Sequence, residues 1–367
     1  MKYIISTICF LFNIYLASCS FQATFFQEMN KEFKNKNLLI SPLSAYQVLG
    51  LTANGAKGKT LNQMLLALEG SSLDEVNSIN KKILDVAKTF STIEIANAVM
   101  SKFNAKKAFL NAVSLYEATF EPLKSLAQVN NWCFLKTHGK IEKIIDRLDA
   151  STLMILLNAI YFKGTWHTEF DEKNTTQKVF YNFNTEKKLV EKMLLKEKFN
   201  YYEDKQVQVV ELPYKSDSMS AVIILPNKYT DINDFITGLN EDKLQRLLKR
   251  MDKQIVDLEL PKFKLEFSSL LNTPLQKMGM DLPFRPIADF TGMVDGSLYI
   301  SEVVQKSYLS IDEKGTEATS VTAVIMTRDI QPPVYPMVID RPFLFLLRCK
   351  SLPAGNELLF MAKVEQL

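Results

Sequence analysis

The chain has 367 residues, 47% hydrophobic and 23% charged, and is long enough to bury a substantial core without disulfide staples. Its net charge of +3 comes from 44 basic and 41 acidic residues mixed along the chain, too weak an imbalance to point to nucleic acid or to a membrane surface. Length alone suggests two or three domains, but no Pro/Gly/Ser-rich linker or shift in composition divides the chain, so one large domain fits at least as well.

Met1-Lys2 is followed by the apolar run Tyr3 to Leu16 and then by the small residues Ala17-Ser18-Cys19-Ser20. One positive charge, a short apolar stretch and small residues at its end predict a secretory signal peptide over residues 1–20. The run is short for a transmembrane helix; an uncleaved anchor and a lipid attachment at Cys19 are the alternatives. Loss of this segment leaves Cys133 and Cys349, read as buried free thiols, with one long-range bridge as the other possibility.

Phe21, Phe25, Met29 and Phe33 then fall at helical spacing. Leu38-Leu39-Ile40 reads as a short buried strand that runs into a helix, with Ser41 at the cap and Pro42 in the first turn. Ala45 to Ala53 continues that helix. Gly55-Ala-Lys-Gly58-Lys59-Thr60 looks like the end of a phosphate-binding loop, but Ala53 stands where its first glycine belongs and a helix precedes it. A turn between two helices is the better reading. Neither histidine, His138 or His167, lies near a nucleophile motif, and no Cys/His cluster has zinc spacing. No enzyme, metal or cofactor is expected.

Ser151 to Phe162 is a long apolar run that suits a strand buried on both faces. Asn174-Thr175-Thr176 is a sequon, which makes Asn174 a glycan site if the chain is secreted into a glycosylating pathway. Tyr201 to Pro226 holds several strand-like segments, separated by Glu203-Asp-Lys205 and Lys215-Ser-Asp217. Lys243 to Lys253 is basic, but Leu244, Leu247, Leu248 and Met251 keep helical spacing. A solvated helix face is therefore expected there, and a polyanion site is the rival. Asp257 to Phe263 alternates like a half-buried strand, and Ile339 to Cys349 and Glu357 to Val364 read as apolar strands. The class is mixed α+β with segregated elements.

Val303 to Asp312 reads as the end of another apolar strand. After it, Gly315 to Ile325 holds small and β-branched residues without proline. In an extended chain Thr316, Ala318, Ser320, Thr322, Val324 and Met326 share one face. The first of these are small and uncharged, so that face can be buried without stranding a charge, while Glu317 falls on the other side. On composition alone an exposed loop or an edge strand fits as well.

The segment Glu313-Lys-Gly315-Thr316-Glu317-Ala318-Thr319-Ser320 resembles the hinge of the reactive loop in the serpins, a family of serine protease inhibitors. Asn158-Ala-Ile-Tyr-Phe-Lys163-Gly164-Thr-Trp166 resembles the strand and breach of their central sheet. Ser41-Pro-Leu-Ser44 resembles the shutter motif beneath it, with Asn158 on the facing strand. Ala288-Asp289-Phe-Thr-Gly292-Met293, Leu260-Pro-Lys-Phe263 and Arg341-Pro342-Phe343-Leu-Phe345 resemble further signatures, and the match runs from about Phe21 to Val364. Gln305 departs from the family by standing where many members carry a shutter histidine, and Ala362 replaces a common glycine. The short region from Asn80 to Phe90 is not similar to the basic heparin-binding helix of some members.

The resemblance implies a single serpin domain over 21–367, with three β-sheets, roughly eight to nine helices and an exposed reactive loop at about 313–333. It also implies a suicide-substrate mechanism: a serine protease cuts the loop, forms an acyl-enzyme and is trapped as the loop inserts into the central sheet. The expected partner is thus a serine protease in covalent complex, and the protein is expected to be a secreted monomer that binds neither nucleic acid nor membrane. Small, uncharged Thr316, Ala318 and Ser320 favour an active inhibitor. A usual loop length counted from Glu313 places Asp329 before the cut, and Arg328 stands one position earlier. Arg328–Asp329 is the expected reactive bond, for a trypsin-like target. Met326–Thr327, or cleavage after Ile325, is the rival, for chymotrypsin-, cathepsin G- or elastase-like enzymes. A non-inhibitory serpin acting as a binding or chaperone-like module, or an inhibitor of a cysteine protease, are the other readings.

Overall fold

The computed structural model describes residues 20–90, 92–316 and 333–367, with Tyr161 described by its backbone alone. The expected signal peptide up to Cys19, and the loop positions Glu317, Ala318, Thr319, Ser320, Met326, Thr327, Arg328 and Asp329, lie outside the described residues.

Strands are numbered in chain order. A central sheet has the order β11 (Phe263–Leu270), β12 (Glu302–Ile311), β4 (Met154–Phe162), β2 (Ile93–Ser101) and β3 (Thr119–Pro122). A larger sheet runs β1 (Leu38–Ile40), β16 (Leu358–Val364), β15 (Phe343–Cys349), β9 (Met219–Pro226), β8 (Val207–Pro213) and β7 (Lys187–Glu203). It continues with β10 (Asp252–Pro261) and β14 (Val334–Val338), while β6 (Thr176–Tyr181) pairs on β7. A third, two-stranded sheet joins β13 (Gly315–Thr316) to β5 (Gly164–Thr165).

The described residues hold nine α-helices. They are α1 (Phe21–Glu32), α2 (Pro42–Ala53), α3 (Gly58–Ala67), α4 (Leu73–Ala87) and α5 (Lys107–Leu115), followed by α6 (Leu126–Lys136), α7 (Ile232–Thr237), α8 (Glu241–Lys249) and α9 (Asn272–Lys277). The mixed class with three sheets is as expected.

The core sits between the two large sheets. α2 is buried along its whole length and packs against β2, β4 and β16, which explains why its apolar residues surround it instead of forming one stripe. Ser41 caps it by accepting the Ser44 N–H at 3.3 Å, and Pro42 occupies the first turn. The apolar run through β4 has a similar cause. Met154, Leu156 and Ile160 face the main core, whereas Ile155, Leu157 and Ala159 face a second cluster with Val129, Trp132 and Cys133 of α6. Cys133 and Cys349 are both free and buried, and burial pushes the Cys133 thiol up to about 12.

Three elements differ from their sequence pattern. Asp257 to Phe263 is two strands, because Pro261 has no N–H for a further ladder bond and the chain passes at Lys262 from the larger sheet into the central one. Ile339 to Pro342 is a bend before β15, tied by the Ile339 N–H to Glu259 O at 2.9 Å. The basic helix α8 stops at Lys249 and buries Leu244 and Leu247, while Lys253 belongs to β10.

Candidate functional site: the hinge and the sheet it meets

β4 and β12 are parallel neighbours from Ile155↔Glu302 to Ile160↔Ser307. Past that point β12 runs on to Ile311 alongside β11, and β4 runs on to Phe162 alongside β2. Among the described residues no ladder joins β4 to β12 there. Among the described residues the sheet is therefore open at this end, with two facing strand edges and a buried Ser307 hydroxyl that has no hydrogen-bond partner. Such edges are a template for another strand.

Below the opening, three amides stand in register on adjacent strands: Asn97 on β2, Asn158 on β4 and Gln305 on β12. Asn158 Nδ2 donates to Asn97 Oδ1 at 2.7 Å, and Gln305 Nε2 donates to Asn158 Oδ1 at 2.9 Å. Gln305 also donates to Ser41 O at 2.9 Å and accepts the Ser41 N–H at 2.8 Å, which ties the sheet to the start of α2. All four residues are buried. Ser44 lies next to this ladder but outside it: its buried hydroxyl has no partner among the described residues. Asn97 was not among the expected site residues. Its signal in the sequence is a polar residue on the apolar phase of an alternating strand.

At the open end, Gly315 and Thr316 already pair antiparallel with Thr165 and Gly164, as the first residues of a strand laid along the continuation of β4. Gly315 has φ +136°, and a Cβ there would lie 2.2 Å from Gly164 O, so the close approach requires glycine. Thr316 is 2% exposed, and its Oγ1 is hydrogen-bonded to the Tyr214 hydroxyl at 3.0 Å. Trp166 is buried and stacks on Tyr214, with ring centroids 4.4 Å apart. Its Nε1–H donates to Asp312 O at 3.0 Å, and its backbone N–H donates to Lys314 O at 3.0 Å.

Glu313, a charged residue at the start of the hinge, is also buried. Its Oε1 accepts the Thr175 hydroxyl at 2.7 Å and pairs with Lys262 Nζ at 3.1 Å. Burial pushes this carboxyl up, but the Thr175 hydrogen bond, the backbone N–H of Glu313 itself and Lys262 outweigh it, so it titrates below its ordinary value. The structure brings together the expected residues Glu313, Gly315, Thr316 and Trp166. Sequence reasoning missed Thr175, Tyr214 and Lys262, which reach the hinge from distant parts of the chain and carry no local signal.

The arrangement holds a strand at its first two residues beside an opening that its continuation can fill. The comparisons agree with that geometry. The family described as Serpin (serine protease inhibitor) matches residues 16–367. Iripin-2 of Ixodes ricinus is 32% identical, over 90% of this chain and 88% of that protein. The leukocyte elastase inhibitor of Xenopus laevis is 35% identical, over 92% of this chain and 95% of its own length. The thermophilic serpin tengpin in its native state superposes with a TM-score of 0.87 at 32% identity, covering 95% of this chain and 92% of tengpin. An open central sheet, a hinge seated at its mouth and matches over nearly the whole chain make this protein a member of the serpin family.

Proposed function

We infer that this serpin is a secreted inhibitor of serine proteases that acts as a suicide substrate and is not itself an enzyme. The observation that carries the reading is β13: Gly315–Thr316 lies at the mouth of the opening between β4 and β12, so a strand continuing from it has a place to pair. Cutting the loop downstream frees that strand to insert. Insertion satisfies backbone groups left open on both edges, and a protease still acylated on the loop is carried with it, so that its catalytic geometry is distorted before water arrives.

Supporting an inhibitory role, relatives over nearly the whole chain are named as inhibitors, among them the leukocyte elastase inhibitor. The small residues Thr316, Ala318 and Ser320 suit the buried face of the incoming strand. Arg328–Asp329 is the proposed reactive bond, for a trypsin-like protease, with Met326–Thr327 the competitor. Secretion rests on the pattern of residues 1–20.

Incubation with trypsin tests this directly. The expected result is a complex that survives SDS and boiling, with release of a C-terminal peptide beginning at Asp329. A peptide beginning at Thr327, with a complex formed only by chymotrypsin-like enzymes, moves the reactive bond. Clean cleavage without any complex sinks the inhibitory reading and favours a binding or chaperone-like role.

A further inference from the structure

The chain leaves β5 through Trp166, crosses to the end of β12, and returns as β6 from Thr176. In that crossing the Trp166 N–H donates to Lys314 O, and the Phe170 N–H donates to Glu313 O at 2.9 Å. Thr175 hydrogen-bonds the Glu313 carboxylate, and Glu172 pairs with Lys314 at 3.3 Å. Residues 166–175 are therefore a strap across the open end of the central sheet, fastened to the hinge at four points. A short 3₁₀ turn, Glu172–Asn174, forms its outer edge, held by the Asp171 carboxylate accepting the Lys173 N–H at 3.0 Å.

Asn174 sits on that edge. It is exposed, and its side chain has no hydrogen-bond partner among the described residues. With Thr176, also exposed, two positions on and no proline between, it presents an N-glycan acceptor on an accessible turn. Thr175, the residue between them, points the other way and holds Glu313. The acceptor thus stands back to back with the hinge contact.

We propose that Asn174 carries an N-glycan, and that the glycan screens the open end of the central sheet against strands from other molecules. This rests on the reading of the protein as secreted. The facing edges of β4 and β12 accept any extended chain of suitable face, including the loop of a second copy. Thr316, from which the chain's own strand would continue, is buried inside the strap against Tyr214. A second copy's strand comes from solvent, on the side where the outer edge of the strap carries the exposed Asn174. A large hydrated glycan at that position excludes the second approach and leaves the first open.

The test uses the full chain behind a heterologous secretion signal in a glycosylating eukaryotic host, so the sequon is examined whether or not residues 1–20 act as a leader. A separate export assay of the natural N-terminus settles that point. Glycopeptide mass spectrometry is expected to find Asn174 occupied. Asn174→Gln and Thr176→Ala, which remove the glycan by different changes, are each expected to speed oligomer formation on mild heating by about threefold, in line with a small excluded-volume term. The rate of complex formation with trypsin should stay unchanged. The same variants made in bacteria should match bacterial wild type, which separates the glycan from the substitutions. Unmodified Asn174 in protein recovered from the medium overturns the proposal, and so does an occupied site whose removal leaves oligomerisation unchanged.

Discussion

Gln305 shows how one side chain can hold two layers together. It satisfies the Ser41 N–H, the Ser41 carbonyl and Asn158 Oδ1, all buried between α2 and the central sheet. Gln305→Leu fits the space but orphans those groups, at a cost of about 2–4 kcal/mol. Its thermal midpoint, followed by circular dichroism, should fall well below wild type. Lys192 offers the opposite case. It is 1% exposed, and among the described residues its Nζ has no hydrogen-bond or ion-pair partner. Burial lowers its pKa, and the carboxylates of Asp340 and Glu259 offset this only in part. A lysine whose folded pKa lies below its unfolded one costs stability at lower pH, and the cost disappears above about pH 10.5. Lys192→Met is therefore expected to raise the midpoint at pH 7, by the equivalent of about 1–2 kcal/mol, with little gain at pH 10.5. An equal gain at both values would show that packing, not charge, is responsible.

At the scale of elements, the hinge is held by charge on one side and by shape on the other. Glu313 titrates below its ordinary value, so the stability it contributes is complete above that value and is lost as pH falls through the depressed folded pKa. The difference in midpoint between wild type and Glu313→Gln should be largest near neutrality and close below about pH 4. A constant difference would mean that the Thr175 hydrogen bond alone matters. Thr316 tests shape. It is buried against Tyr214 at the first step of the new strand, and Thr316→Arg forces a charge into that place. Trypsin is expected to cut this variant as an ordinary substrate, and an SDS-stable complex in wild-type yield would contradict insertion as the trapping step.

These elements also show what a linear chain reveals. Strands such as β4 and β9, and the capped start of α2 at Ser41-Pro42, are legible because period, burial and caps are local. Asn158 and Gln305 were legible only through the family pattern. Their meeting depends on the parallel register of strands far apart in sequence, as does the missing third amide, Asn97. Thr175 and Lys262 were invisible for the same reason, since a hydroxyl and an ammonium acquire meaning only when folding brings them to Glu313. The sheet switch at Lys262 was missed because alternation continues across it.

At the level of the whole molecule, the proposed mechanism requires that the described fold is not the most stable arrangement of this chain. Among the described residues no ladder joins β4 to β12 beyond Ile160↔Ser307, and β13 stands at that end as the start of a strand able to pair there. Insertion of a full strand parts the β4–β12 ladder from Ile155↔Glu302 to Ile160↔Ser307, replaces it with two ladders, and buries the face that begins at Thr316. On that mechanism native stability is partly kinetic, held by the strap and the hinge contacts until the loop is cut. The most direct measurement is thermal unfolding of the protein before and after a single cut within residues 317–332 by a protease that escapes trapping. The expected result is a cleaved form, its two fragments still associated, that unfolds tens of degrees above the intact protein. A cleaved form that unfolds at or below the intact midpoint would contradict it.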